Sequence, residues 1–157
     1  MKTMLLIFFD WQGVIHKEFV PKGETINAVY YKVVIERPLN RIRRVRPGMC
    51  ESGDWFLMHD NAPSHNATIV NKFLAQRKVT VLDHPPYSPD LAPADYFLLP
   101  KVKSHSKWRL FDSISDIQKA MTSTLHTTAK DDSYKGIQKL YDLANLYVQL
   151  EWMYVEN

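Results

Sequence analysis

Residues 55–65, WFLMHDNAPSH, pass from a short apolar run directly into an acid and then into turn-forming residues. The run Trp55–Met58 predicts a short buried strand, and residues 79–82 predict another. Between them, one face of a predicted helix is lined by Ala67, Val70, Phe73 and Leu74. A strand, a helix and a strand in this order indicate a parallel crossover. Asp60 then lies at the carboxyl end of the first strand, the edge at which open α/β sheets bind ligands.

A hairpin is predicted upstream of this crossover. Met4 to Phe9 is a continuous apolar run, which is typical of a buried strand. Residues 10–13 have turn chemistry, and residues 14–20 predict the returning strand.

A helix is predicted to follow the hairpin, with Thr25 as its N-cap. Pro38 is expected to kink or split this helix, and Pro47-Gly48 to end it. Its core-facing residues are predicted from helical spacing to be Ile26, Val29, Tyr30, Val33 and Val34.

The back half of the chain is predicted to be helical. Pro63 suits the first turn of the crossover helix, and residues 83–93 form a proline-rich loop. Helices are then expected from Ala94, with a kink at Pro100, and over residues 113–125 and 133–150. The chain is therefore predicted to be an α/β domain with covering helices.

Composition places the chain among globular proteins of one domain. Of its 157 residues, 45% are apolar and 24% are charged, and the net charge is +3. This mild basic excess is compatible with nucleic acid but does not identify it. The single Cys50 excludes an internal disulfide. No signal peptide with a cleavage site is expected, and no membrane span.

Local chemistry alone leaves the acids ambiguous. Asp60 could simply cap the following helix, and Asp95 could be stabilised by the dipole of a helix whose first turn contains it. Zinc is disfavoured because the spacing of His59 and His65 is not typical of its ligands. A hydrolase triad with Ser64 is also disfavoured, because the glycines of a nucleophile elbow are missing.

Two longer motifs remove this ambiguity. Residues 59–65, HDNAPSH, resemble the H-D-N-A-P-x-H motif of mariner transposases. Residues 87–97, YSPDLAPADYF, resemble their Y-S-P-D-L-A-P-x-D motif and the two aromatic positions after it. Between Asp60 and Asp95 lie 34 residues, as in that family. Residues 8–19 and 43–47 also resemble the family's hairpin and the end of its next helix.

The resemblance implies a ribonuclease H-like fold, in which helices flank a mixed sheet. Residues 1–157 would form part of a cut-and-paste DNA transposase catalytic domain, with a helical tail from about residue 113 that matches the family poorly. In the family, three carboxylates bind two divalent ions, Mg²⁺ or Mn²⁺. Asp60 would be the second carboxylate and Asp95 the third.

The family's first carboxylate is expected upstream of residue 1, so the domain would be truncated at its N-terminus. Weak or incomplete metal binding is then expected, and little or no activity of this polypeptide alone. Asp10 is not expected to substitute, because turn chemistry explains it.

The resemblance also implies DNA as a partner, namely transposon ends, together with a possible homodimer and a nuclear location. Arg41, Arg44, Lys101 and Lys103 are candidate phosphate contacts. A solvated helix face explains the arginines equally well. A DNA-binding or dimerising module without catalysis is the alternative function.

Overall fold

The computed structural model describes residues 3–85, 89–106, 110–128 and 130–155. Over these ranges the elements are, in chain order, β1 (Met4–Asp10), β2 (Gly13–Val20), α1 (Ala28–Val45), α2 (Pro47–Ser52), β3 (Phe56–Leu57), α3 (Thr68–Gln76), β4 (Thr80–Val81), a 3₁₀ turn (Pro89–Leu91), a π-helical turn (Ala94–Leu98), α4 (Leu99–Ser106), α5 (Ile114–Thr127) and α6 (Lys130–Val155).

The chain folds as two compact units. Residues 2–8 and 15–86 form the N-terminal unit, and residues 9–14 and 87–157 form the C-terminal unit. Asp60 belongs to the first and Asp95 to the second.

The predicted hairpin is confirmed. β1 and β2 are neighbours in a two-stranded sheet, and two turn residues join them. The turn is closed by Asp10, whose Oδ1 accepts a hydrogen bond of 2.9 Å from the backbone N–H of Gln12. Gly13 has a φ of +120°, a conformation that favours glycine. The turn chemistry thus accounts for Asp10, as the sequence predicted.

The buried face of α1 differs from the predicted face by about one position. Its buried residues are Tyr31, Val34, Ile35, Pro38, Leu39 and Ile42. Val29 and Val33, which were predicted to face the core, are 61% and 45% exposed. The observed stripe keeps its helical spacing beyond Pro38, so it buries more apolar side chains than the predicted stripe, which stopped before the proline.

Pro38 does not split α1, and Thr25 does not cap it. The helix is continuous from Ala28 to Val45. Buried neighbours before and after Pro38 hold both halves on the same core, which offsets the backbone hydrogen bond that proline cannot donate. The N-cap is Asn27, whose Oδ1 accepts a hydrogen bond of 2.8 Å from the N–H of Tyr30.

The predicted crossover is confirmed, with shorter elements. β3 and β4 pair in parallel, with Phe56 opposite Thr80 and Leu57 opposite Val81. The prediction that Pro63 starts the helix is wrong, because α3 begins at Thr68. Residues 63–65 instead form a turn in which the N–H of His65 donates to the carbonyl of Ala62 over 2.9 Å. The prediction that the long helix ends at Pro47-Gly48 is confirmed, because α1 ends at Val45 with Arg46 as its C-cap. Pro47 is the first residue of a separate short helix, α2.

The core of the N-terminal unit lies where α1 and α3 pack together. Its buried members are Ile15, Tyr31, Ile35, Leu39, Ile42, Val70, Phe73 and Leu74. Leu57 and Val81, one from each parallel strand, pack against this cluster. The apolar face predicted for α3 is therefore confirmed at Val70, Phe73 and Leu74.

From Ala94 onward, the described part of the C-terminal unit is mainly helical, as predicted. The π-helical turn leads without a break into α4, with Pro100 near the junction. Ser113 caps α5 by accepting a hydrogen bond from the N–H of Asp116. Among the helices that the structure describes, none has the length and apolar character that crossing a membrane requires.

Replacing a core residue of α3 should destabilise the N-terminal unit. Leu74 is 1% exposed, so Leu74→Ala removes buried methyl groups and leaves a cavity. We expect a loss of about 2–5 kcal/mol in the free energy of unfolding, measured by urea titration. Ile69→Ala on the same helix is the control, since Ile69 is 40% exposed; it should change the value by less than about 0.5 kcal/mol. Equal losses in the two variants would contradict the assigned face of α3.

Candidate metal centre

Asp60 follows β3 by three residues and lies in a tight turn. Its Oδ1 accepts a hydrogen bond of 3.1 Å from the N–H of Ala62, a local pattern that short acidic side chains form readily. The side chain of Asn61 donates to the carbonyl of His84 over 2.8 Å. The turn after β3 is thereby joined to the segment after β4. The side chain of Asp60 remains 67% exposed.

A cluster of three aromatic side chains supports this turn. The hydroxyl of Tyr31 lies 2.8 Å from His59 Nδ1. The ring of His65 stacks on Tyr31, with a centroid distance of 3.9 Å, and on His59, at 5.2 Å. The cluster therefore connects α1 to residues on both sides of Asp60.

His65 also contacts Asp60 directly. Its Nδ1 lies 2.6 Å from Asp60 Oδ1, yet this nitrogen has no hydrogen bond of acceptable geometry. We treat the contact as an electrostatic one, because the two atoms are close but poorly aligned. The contact with His65 involves the same carboxylate oxygen, Asp60 Oδ1, that accepts the hydrogen bond from the N–H of Ala62.

Burial controls the protonation of this cluster. The pKa of His59 is lowered to about 4, mainly by burial and also by the nearby His65, while the charge of Asp60 acts in the opposite direction. Burial also raises the pKa of the Tyr31 hydroxyl above its usual range, as does Asp60. At neutral pH both side chains are therefore uncharged.

Two ring nitrogens of the cluster are buried without a hydrogen bond within the described residues: His65 Nδ1, which contacts Asp60, and His59 Nε2. The second of them fixes the tautomer of His59. We assign the proton of the neutral ring to this atom, because the Tyr31 hydroxyl can then donate to Nδ1. Tyr31 and His59 thus orient the Asp60 turn without supplying a charge of their own.

Asp95 lies in the first turn of the π-helical segment Ala94–Leu98 and is exposed. Its N–H donates to the carbonyl of Ala92 over 2.9 Å. The residues after it, Tyr96 and Phe97, are half-buried. Asp95 thus projects from a segment that is fixed by its neighbours.

The two acids suit a divalent ion by their chemistry. Carboxylate oxygens are the ligands that Mg²⁺ and Mn²⁺ prefer, and both side chains are accessible to solvent. In the ranges that the structure describes, no group of three His, Cys, Asp or Glu side chains is arranged to hold a metal. Asp60 and Asp95 therefore fit as two ligands of a centre that needs more. That they share one centre stays a prediction.

The candidate DNA contacts differ in their surroundings. Arg41 and Arg44 are exposed on α1, and Lys103 is exposed on α4. Lys101 instead forms an ion pair with Asp132, and its ammonium lies 5.6 Å from the centroid of the Phe97 ring. This engagement argues against a role for Lys101 in binding phosphate.

Comparison with known proteins places the chain in a family. Residues 1–52 match a family described as Transposase (partial DDE domain). Over 99% of its length, the chain is 35% identical to the Mariner Mos1 transposase of Drosophila mauritiana. It resembles a solved structure of the Mos1 transposase catalytic domain with Raltegravir and Mg, with a TM-score of 0.83 and 34% identity over 88% of this chain and 69% of that one. The chain belongs to the mariner transposase family.

Its fold is accordingly the α/β, ribonuclease H-like fold of that catalytic domain, as the sequence predicted. A pre-cleavage Mos1 transpososome also matches, with a TM-score of 0.84 and 34% identity over 88% of this chain and 41% of that one. The histone-lysine N-methyltransferase SETMAR of Homo sapiens is 30% identical over 88% of this chain. This chain spans 45% of the length of the Mos1 transposase and 20% of that of SETMAR.

The sequence did not predict the roles of Tyr31, which contacts His59 beside Asp60, and of Gly136, which contacts Tyr96 and Phe97 beside Asp95. The predicted helical face contains Tyr30 instead of Tyr31, because it is displaced by about one position. Extending the apolar spacing through Pro38 to Ile42 would have found it. Gly136 lies inside the helix α6, where glycine is unfavourable. A glycine at such a position indicates a close contact, and this pattern could have identified it from the sequence.

The stability of the chain should depend on pH through His59. Its folded pKa is about 4, below the ordinary value of about 6.5 for an unfolded histidine. Between these values the unfolded state binds more protons. The contribution of neutral His59 is therefore complete above about pH 6.5 and is lost as the pH falls towards 4, at no more than about 1.4 kcal/mol per pH unit.

Urea unfolding from pH 7 to pH 4.5 would measure this dependence. His59→Gln should flatten the curve relative to the unmodified chain, since glutamine does not titrate. His126→Gln, at an exposed position of α5, is the matched control and should leave the curve unchanged. Parallel curves for the unmodified chain and His59→Gln would contradict the assignment of a buried, neutral ring.

Proposed function

We propose that this chain supplies two of the metal-binding carboxylates, Asp60 and Asp95, of a cut-and-paste DNA transposase catalytic domain. The observation that carries the proposal is the geometry at Asp60. The acid follows a parallel strand, is 67% exposed, and has one oxygen held by Ala62 and His65. The second oxygen is the one that we assign to the metal.

Divalent ions in such a centre activate an attacking water or 3′-hydroxyl and stabilise the leaving oxygen of a phosphoryl displacement. The relatives support the choice of ion, because Mos1 catalytic domain structures were solved with Mg and with Mn. In this chain, the Asp60 turn and the Asp95 segment would orient the two carboxylates. Tyr31 and His59 would fix the Asp60 turn from the protein side.

We assign none of the acids in residues 1–157 to the family's first carboxylate. A polypeptide of these residues alone would therefore bind metal weakly and cleave DNA poorly, since a site with two ligands lacks part of its coordination. DNA transposon ends as the substrate, pairing of two copies and a nuclear location are further parts of the proposal. Solved Mos1 paired-end complexes, one of them with the left transposon end, support the first two parts. The nuclear location rests on the family resemblance alone.

Neutralising either acid should weaken Mn²⁺ binding. We expect low Mn²⁺ concentrations to broaden the backbone NMR signals of Asp60 and Asp95 together, because both acids would approach the same ion or adjacent ions. Asp60→Asn and Asp95→Asn should each raise the dissociation constant by about tenfold or more, as measured by electron paramagnetic resonance. The effects should not be additive in the double variant, since both changes remove the same site.

Asp54→Asn is the matched control, because Asp54 is an exposed acid close to Asp60 in sequence; it should leave the affinity unchanged. The shared centre would be refuted if the backbone signals of Asp60 and Asp95 began to broaden at clearly different Mn²⁺ concentrations. Efficient nicking of supercoiled plasmid by the 157-residue chain, if abolished by Asp60→Asn, would refute the expected inactivity.

A non-catalytic DNA-binding module is the second candidate, and the exposed arginines on α1 favour it. The logarithm of the DNA affinity falls linearly with the logarithm of the salt concentration, with a slope set by the number of phosphate contacts. If Arg41 and Arg44 contact phosphates, replacing both with alanine should reduce the magnitude of this slope by the equivalent of about two contacts. Gel shifts between low and physiological salt would measure the slope. Arg37→Ala is the control, because Arg37 is paired with Glu18 over 2.5 Å. An unchanged slope in the double variant would assign these arginines to a solvated face.

A further inference from the structure

The backbone that carries Asp95 has an unusual conformation. Residues 94–98 form a π-helical turn, a form that is rare and is found most often as a single turn near functional sites. Such a turn is less stable than an α-helix, so packing from outside must hold it. The contacts of the two residues after Asp95 show where that support comes from.

Both of these residues contact Gly136, in α6. The hydroxyl of Tyr96 donates a hydrogen bond of 2.5 Å to the carbonyl of Gly136. The ring of Phe97 lies against the Cα of the same glycine, and a Cβ added there would come within 2.7 Å of Phe97 Cγ and 2.8 Å of Cδ1. Any larger residue at position 136 must therefore displace the ring or the helix.

Glycine is an unfavourable residue at this position unless space requires it. Inside a helix it costs about 1 kcal/mol relative to alanine. The positive φ angles among the described glycines belong to Gly13, Gly23 and Gly53, so conformation does not demand glycine at position 136. Its close approach to Phe97 does.

Further contacts hold the two aromatic rings in the same position. Lys101 pairs with Asp132, one turn before Gly136. The ammonium of Lys139 lies 5.1 Å from the centroid of the Tyr96 ring. The ring of Phe9 lies 6.4 Å from that of Phe97. Tyr96 and Phe97 are thus fixed on several sides, whereas Asp95 remains exposed.

We propose that Gly136 is a positioning residue for Asp95. Its missing side chain leaves room for the ring of Phe97, and its carbonyl accepts the hydrogen bond from Tyr96. These two contacts fix the π-helical turn that orients the Asp95 carboxylate. This inference rests on the proposed function, in which Asp95 is a metal ligand. It gives α6 a role in the metal centre although α6 supplies no ligand to it.

Gly136→Ala tests the proposal by adding one methyl group. We expect cooperative unfolding to persist, the dissociation constant for Mn²⁺ to rise by about tenfold, and the Mn²⁺-induced broadening at Asp95 to weaken relative to that at Asp60, because the Asp95 carboxylate no longer approaches the ion closely. A merely structural loss would reduce the broadening at both residues equally. Adding Phe97→Leu to Gly136→Ala should restore the broadening at Asp95, because the smaller side chain makes room for the methyl group.

Gly48→Ala is the matched control, because a Cβ at Gly48 meets nothing within 4 Å; it should leave Mn²⁺ binding unchanged. If Gly136→Ala does not fold, Mn²⁺ binding is measured on Tyr96→Phe instead, because this change removes the hydrogen bond to Gly136 without adding volume. The dissociation constant of this variant should also rise. Normal Mn²⁺ binding by a folded Gly136→Ala chain, or by Tyr96→Phe in that case, would overturn the inference while leaving the proposed function intact. Normal binding by Asp95→Asn would instead refute the proposed function.

Discussion

One hydrogen bond, between the hydroxyl of Tyr31 and the ring of His59, links the turn of Asp60 to the hydrophobic core. Tyr31 is 2% exposed and belongs to the core formed by α1 and α3. Its ring also stacks on His65, which contacts Asp60. A side chain of the hydrophobic core is therefore linked directly to the turn that presents the acid, so core packing and site geometry are coupled.

The two acids are supported in different ways. Around Asp60 the support is local in sequence, except for Tyr31 and the carbonyl of His84, and is mostly polar. Around Asp95 it comes from α6, about 40 residues later, and consists of an aromatic ring packed against a glycine together with one hydrogen bond. Damage to the tail would thus affect one carboxylate and spare the other.

The sequence predicted the parts of the fold that depend on local periodicity and turn chemistry. The hairpin, the parallel crossover and the buried face of α3 follow from such patterns. The errors at Thr25, Pro38 and Pro63 arose because local preferences were outweighed by a nearby cap, a continuous buried stripe and an acid-closed turn. The two acids could be named from their motifs. The contacts of Tyr31 and Gly136 could not, because they join distant parts of the chain.

The proline inside α1 has a further consequence for how the N-terminal unit moves. Pro38 lacks an N–H, so the helix misses one backbone hydrogen bond in its middle. The missing bond weakens the helix at this point, although the helix is continuous and the neighbouring backbone bonds and the side-chain packing still join its two halves. The amides of the half after the proline, which carries the exposed arginines, would therefore exchange with solvent sooner than those around Tyr31. The aspartate-bearing turn would stay anchored while the basic surface fluctuates.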